Sequence, residues 1–110
     1  MKKSITYCAT HIELFARYRN ICQIARVHRE DPFGHDVRLS LENLVWMCTQ
    51  CISNIATWPD DKTGRWLGFV QGCLAMRGLI DVDRERDITR PMFHAILAEK
   101  GIIAPEKTER

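Results

Sequence analysis

Apolar residues recur at intervals of three and four in several segments of the chain, which predicts amphipathic helices. The most apolar segment is 43–59, NLVWMCTQCISNIATWP, which contains no Lys, Arg, Asp, Glu or His. Because a surface helix keeps one charged face, we expect a helix without charge to be covered on most sides. A second nearly uncharged segment, 66–76, is its expected partner. The predicted helices span residues 11–29, 41–57, 64–77 and 90–100.

Local signals predict where these helices begin and end. Thr10 and Glu13 have the spacing of a capping box, which predicts the start of the first helix. Ser40 is a favourable N-cap for the second helix. Gly78 is placed as the left-handed C-terminal cap of the third. Pro91 is expected at the first position of the fourth, where its missing N–H costs nothing.

The pattern predicts an all-α fold, a compact bundle of four to five helices with the second and third helices at its centre. A length of 110 residues fits a single domain. We expect residues 1–9 to form an N-terminal arm, residues 10–103 the helical domain and residues 104–110 a disordered tail. Acids and arginines alternate in segment 81–87, which is expected to be either a short helix or a salt-bridged loop.

Composition and charge argue against several classes of protein. The net charge is only +2, which provides no global basic field for nonspecific nucleic-acid binding. The longest apolar runs are far shorter than the ~20 residues that a membrane span needs. The N-terminus lacks the apolar core of a signal peptide. We therefore expect a cytoplasmic protein without membrane association, whose five cysteines are reduced thiols.

Cysteine and histidine spacing offers one candidate metal site. Cys48 and Cys51 have the spacing of a zinc knuckle or a redox pair, and Cys8 with His11 would complete a tetrahedral set. Cys48 also falls in the apolar stripe of the second helix, where buried thiols act as small hydrophobes. Core packing is therefore the favoured interpretation and metal binding the alternative, and no cofactor is expected. No arrangement typical of nucleophilic catalysis occurs, so we expect no enzymatic activity.

Trp46 lies in a polar but uncharged arc of the second helix, opposite its core stripe. Such a composition is typical of interfaces, which are enriched in Trp and depleted in charge. Trp46 and Gln50 are therefore candidate contacts with another chain, and cover by another part of the same chain is the alternative. Gly64, Gly68 and Gly72 form a ridge on the third helix, where each glycine costs about 1 kcal/mol relative to alanine. Close approach of another backbone would account for them.

Arginines are concentrated in segment 77–90, among acids that neutralise part of their charge. The arginine fork suits planar oxyanions such as carboxylates and phosphates. Our leading hypothesis is a charged recognition rim beside Trp46. The alternative is nucleic-acid or nucleotide binding through the same segment, which must weaken steeply as salt rises. The rim would consist of Arg65, Arg77, Arg84, Arg86 and Arg90.

Three runs, GRWLGFVQG from Gly64, GLIDVDRERD from Gly78 and TRPMFH ending at His94, resemble a stretch of small accessory proteins of tailed phages and prophages. The resemblance covers residues 64–94 and supplies no functional residue. It implies a context in which such proteins bind and block a host factor, or bind a nucleotide or nucleic acid. The expected function is a non-enzymatic interaction protein that binds and modulates a host protein, as a homo-oligomer and in the simplest form a dimer.

Overall fold

The fold is all-α, as the hydrophobic pattern predicts. The computed structural model describes residues 3–101, in which no strand occurs. Within that range no helix combines the length and the apolar character that crossing a membrane requires. A short 3-10 helix, Val37–Leu39, precedes α2. The four α-helices are α1 (Ile5–His28), α2 (Leu41–Asn54), α3 (Asp60–Met76) and α4 (Val82–Glu99).

Helix α1 begins at Ile5 instead of near residue 11. Its N-cap is Ser4, whose hydroxyl accepts a hydrogen bond from the backbone N–H of Tyr7 at 2.9 Å. Tyr7 is buried and extends the apolar stripe by one turn. The predicted arm is therefore wrong for residues 5–9, and Thr10 lies within the helix and caps nothing. The predicted tail, 104–110, lies outside the described residues.

The remaining helix ends agree only in part with the local signals. Ser40 caps α2 as predicted, accepting a hydrogen bond from the N–H of Asn43 at 3.1 Å, and Gly78 follows α3 with a φ of 70°. Helix α4, however, starts at Val82, because the carboxylate of Asp81 caps it by accepting from the N–H of Arg84 at 2.9 Å. Segment 81–87 is therefore almost entirely helical. Pro91 lies inside α4 and not at its start.

The helix that packs against all three others is α1, whereas the prediction placed the second and third helices at the centre. Phe15 and Tyr18 of α1 are the largest fully buried side chains of the described chain. A second, smaller cluster joins Tyr7, Ile55 and Ile96. The main core consists of residues from α1, α2 and α3, including Leu14, Phe15, Tyr18, Cys22, Leu44, Cys48, Cys51, Val70 and Leu74.

Candidate functional site

All three tryptophans of the chain lie together at the surface between α2 and α3. The ring centroids of Trp46 and Trp66 are 5.9 Å apart, and Trp58 meets Trp66 edge-on at 4.8 Å. The Lys62 ammonium lies 3.8 Å from the centroid of the Trp58 ring, a cation–π contact. These four residues are termed the tryptophan cluster. Periodicity did not group them, because they come from two helices and the turn between them.

Trp46 is the most accessible of the three indole rings, with 54% of the residue exposed. Ser53, on the same arc of α2, and Thr57, just beyond the helix, are exposed as well, whereas Asn43 is half-buried. Gln50, one turn later, is half-buried, and its backbone carbonyl accepts a hydrogen bond from the side chain of Asn54 at 2.8 Å. Phe69 and Met76, both on α3, are further exposed apolar residues. An accessible apolar surface of this kind is typical of interaction sites.

Arg77 does not belong to a surface rim, so its predicted role in recognition is wrong. Its side chain is 4% exposed, and the guanidinium donates to both carboxylate oxygens of Asp31, at 2.9 and 3.2 Å. It also donates to the backbone carbonyls of Cys73, at 3.0 Å, and Leu39. Arg77 therefore ties the loop before α2 to the end of α3. The sequence did not predict this role because the partners are distant along the chain.

The other predicted arginines are accessible, but they lie on different surfaces. Arg65 pairs with Asp61, one turn earlier on α3, at 3.0 Å. Arg84 is exposed and projects from the opposite side of α4 to Arg86, since two residues turn a helix by about 200°. Arg86 and Arg90 lie one turn apart, and no salt bridge within residues 3–101 engages either of them. Both line one shallow depression together with Thr89, Phe93 and His94.

A groove separates α3 from α4. It contains a cavity of about 240 Å³. Arg86 and Thr89 line both this cavity and the depression on α4, so the two adjoin. On the opposite wall, no atom lies within 4 Å of the place that a Cβ of Gly72 would take. The cavity is lined by Gln71, Gly72 and Ala75 of α3, by Ile80, and by Val82, Glu85, Arg86 and Thr89 of α4.

A buried polar network lies beneath this groove and joins α1, α3 and α4. The Tyr18 hydroxyl donates to Oε2 of Glu85 at 2.9 Å and accepts from Nε2 of Gln71 at 2.9 Å. Arg17 pairs with the other carboxylate oxygen of Glu85. Burial raises the pKa of Tyr18 to about 12, so the hydroxyl stays protonated as a donor. The charge of Glu85 is therefore compensated within the network.

The glycine ridge is open to solvent in the described chain. Gly64, Gly68 and Gly72 are exposed, and no atom lies within 4 Å of the position that a Cβ would take on any of them. No backbone of the described chain therefore makes the close approach that the ridge predicts. Approach by a second chain stays a prediction. One effect of the ridge is visible within the chain, because Gly72 leaves space for the cavity between α3 and α4.

The four residues of the alternative metal site belong to two separate clusters. Cys48 and Cys51 are fully buried in the main core, as the favoured interpretation predicts, and burial raises the pKa of each thiol to about 12. Cys8 packs against the second cluster. His11 has its Nδ1 2.8 Å from the carbonyl oxygen of Tyr7. Within residues 3–101 no group of three or more potential ligands could hold a metal ion.

The molecule is thus an all-α helical bundle with two accessible features, the tryptophan cluster and the groove between α3 and α4. No protein-family model, curated protein or solved structure matches the chain. Its function must therefore be inferred from the chemistry of these two surfaces.

Proposed function

We propose that the protein is a non-enzymatic interaction protein that binds other protein chains through the tryptophan cluster. The observation that carries this proposal is the exposure of Trp46, 54%, beside two further indole rings. Tryptophan is enriched among the residues that dominate binding energy, and truncating such a residue costs about 2 kcal/mol or more. An indole held by neighbouring rings also loses little conformational entropy on binding.

The first partner in this proposal is a second copy of the chain. The arc of α2 around Trp46 carries no charged side chain, so two copies facing each other across a two-fold axis bring no like charges together there. The ammonium of Lys62 rests on the Trp58 ring, which partly offsets its charge. Gly64 and Gly68 are also exposed on α3, but each is two residues from Trp66 and therefore lies on the other side of that helix, outside this interface.

The second partner is a protein of a bacterial host, which the dimer would bind and block or modulate in the cytoplasm. This part of the proposal rests on the resemblance of residues 64–94 to small phage and prophage accessory proteins. Arg65, near the tryptophan cluster in sequence, would supply a polar contact at the edge of the interface, where charged residues are common.

Nucleic-acid or nucleotide binding through the arginine-rich segment is the alternative function. Arg86 and Arg90, adjacent on α4 and without salt bridges in the described chain, favour it. Burial of Arg77 and the opposite direction of Arg84 leave a short positive surface, which counts against a long polynucleotide. Binding that rests on phosphate contacts falls steeply with salt, whereas binding through indole rings does not. Titrations at low and high salt separate the two functions.

Sedimentation velocity over a range of concentrations tests the leading proposal. We expect the wild-type chain to dimerise and Trp46→Gln to remain a monomer. Ile24→Gln is a matched control, because Ile24 lies on α1 and is 53% exposed, close to the 54% of Trp46. Its dimerisation should equal that of the wild type. Circular dichroism checks that both variants keep their helices.

A host partner captured by the wild-type chain supplies a second measurement. The Kd for the purified partner should rise about 30-fold in Trp46→Gln, which corresponds to about 2 kcal/mol, and stay constant in Ile24→Gln. A wild-type chain that is monomeric at about 100 µM, together with an unchanged Kd for Trp46→Gln, would overturn the proposal.

A further inference from the structure

We propose that the groove between α3 and α4 binds a small organic anion, a molecule with an apolar body and a carboxylate or phosphate group. This site goes beyond the proposed function and uses a different surface. Gln71, which lines the groove, and Trp66, in the tryptophan cluster, are five residues apart on α3, which places them about 140° apart around the helix.

The apolar body would occupy the cavity of about 240 Å³. Gly72, Ala75, Ile80 and Val82 give this cavity a largely apolar lining. Its volume lies somewhat below the usual range for drug-sized ligands, which favours a small molecule. The space exists because Gly72 has no side chain and nothing else fills it.

The anionic group would meet Arg86 and Arg90. Arg86 lines both the cavity and the adjoining depression, and Arg90 lies one helical turn further along that depression. No salt bridge in the described chain engages either guanidinium, so no acid within residues 3–101 competes with a ligand for their donors. The guanidinium fork can bind a carboxylate or phosphate through two parallel hydrogen bonds.

The carboxylate of Glu85, on the cavity wall, does not cancel this positive charge. One of its oxygens pairs with Arg17 and the other accepts the hydroxyl of Tyr18. Both oxygens of Glu85 are therefore already paired within the chain. The electrostatic complement of the groove is then a single negative group placed at its Arg86 end.

The size of the site distinguishes a small ligand from a macromolecule. A polynucleotide or an acidic peptide would gain from every accessible arginine of α4, including Arg84. A small ligand in the cavity does not reach Arg84, which projects from the opposite side of α4 to Arg86. The two arginines therefore form a matched pair of test positions on the same helix.

Amide chemical shifts of the full chain, labelled with 15N, provide the measurement. The probes are phenyl phosphate, benzoate and benzyl alcohol, which share a ring and differ in the attached group. We expect saturable shifts at the amides of Gly72 and Thr89 with at least one anion. Binding of benzyl alcohol should be at least tenfold weaker, because it lacks the charge. The ratio of the Kd values for benzoate and phenyl phosphate tells a carboxylate site from a phosphate site.

Two pairs of variants locate the ligand. A Cβ at Gly72 meets no neighbour, so we expect the side chain of Gly72→Leu to enter the cavity and abolish the saturable shifts. Gly64→Leu, on the same helix and equally open at its Cβ, should leave them unchanged. Arg86→Gln should raise the Kd at least tenfold, and Arg84→Gln should leave it unchanged.

Three results would overturn the proposal. The first is the absence of saturable shifts at Gly72 and Thr89 up to about 10 mM of either anion. The second is binding that survives both Gly72→Leu and Arg86→Gln. The third is equal weakening by Arg84→Gln and Arg86→Gln together with tight, salt-dependent binding of a single-stranded oligonucleotide, which would assign this face to nucleic acid.

Discussion

Arg77 and Asp31 form a bidentate ion pair that joins the end of α3 to the loop before α2. Nε of Arg77 lies 2.9 Å from Oδ1 of Asp31, and Nη2 lies 3.2 Å from Oδ2. Their side chains are only 4% and 15% exposed. The same carboxylate accepts the backbone N–H groups of Phe33 and Leu41, each at 3.1 Å. The loop is therefore held by one side chain that lies 46 residues further along the chain.

We expect Arg77→Gln to lower the free energy of unfolding by about 3 kcal/mol, because it leaves a largely buried carboxylate without its charged partner. Urea unfolding followed by circular dichroism measures the change. Arg65→Gln is the control: its salt bridge to Asp61 is exposed on both sides, so the loss should stay within about 0.5 kcal/mol. Equal stability of the two variants would contradict a structural role for Arg77.

The same ion pair predicts a pH dependence. Desolvation alone would raise the pKa of Asp31, but hydrogen bonds from Arg77, Phe33 and Leu41 outweigh it and hold the pKa below 3.8. A carboxyl with a lowered pKa stabilises the fold above its unfolded pKa and loses that contribution as pH falls through the folded pKa. The free energy of unfolding should therefore fall below about pH 4, and less steeply in Arg77→Gln. If the free energy of unfolding falls equally steeply with pH in the wild type and in Arg77→Gln, the ion pair is not the cause of the pH dependence.

Both tyrosines of the chain should ionise at a higher pH than an exposed tyrosine. Burial raises the pKa of Tyr7 and of Tyr18 to about 12 in each case. Their stabilising effect is complete below the unfolded pKa near 10 and is lost as pH rises through about 12. The native chain should therefore show little tyrosinate absorbance at about pH 10, where unfolded tyrosine is half ionised. The chain unfolded in guanidinium is the control. If the tyrosines of the native chain ionise near pH 10, the two hydroxyl groups are not buried as described.

Alanine at the exposed glycines of α3 should stabilise the monomer. No atom lies within 4 Å of a Cβ at Gly68 or Gly72, and both have helical backbone. Each substitution should therefore raise the free energy of unfolding by about 0.5–1 kcal/mol. Gly78→Ala should instead lower it by about 1–2 kcal/mol, because the φ of Gly78 is 70°. Thermal unfolding at low concentration measures all three, and a loss of stability at Gly68 would show a close contact at that position.

The helical class could be predicted from sequence because the core follows regular spacing. Leu44, Cys48 and Cys51 lie on one side of α2, and all three are fully buried. Two helix ends could also be predicted from single residues: Ser40 caps the start of α2, and Gly78, with a positive φ, follows the end of α3. The same spacing placed Trp46 away from the core, where it is exposed.

Helix starts were mispredicted where two local signals competed. The spacing of Thr10 and Glu13 predicted that α1 begins near residue 11, but Ser4 caps the helix and α1 begins at Ile5. The additional turn contains Tyr7, which is buried. Pro91 suggested the start of α4, whereas Asp81 caps it ten residues earlier. Tertiary packing decides between such signals, and periodicity within one helix does not contain that information.

The groove and the Arg77 pair could not be predicted, because each depends on residues brought together by the fold. The sequence predicted that Arg77 is accessible, whereas in the fold its side chain is buried in an ion pair with Asp31. The glycine ridge suggested close packing, yet α4 leaves a cavity beside Gly72. Sequence spacing limits which residues share a helix face, but the distance between faces of different helices is a property of the packed chain.

The position of α1 has a consequence for synthesis on the ribosome. Of the four helices, α1 emerges before the others, and its contacts with α2 can form as soon as the second helix is released. The bond between Tyr18 and Glu85 spans 67 residues, so it must wait until α4 has left the exit tunnel. During that interval the side of α1 that packs against α4 lacks its final cover. A chaperone or a neighbouring nascent chain would meet this face of α1 before the bundle closes.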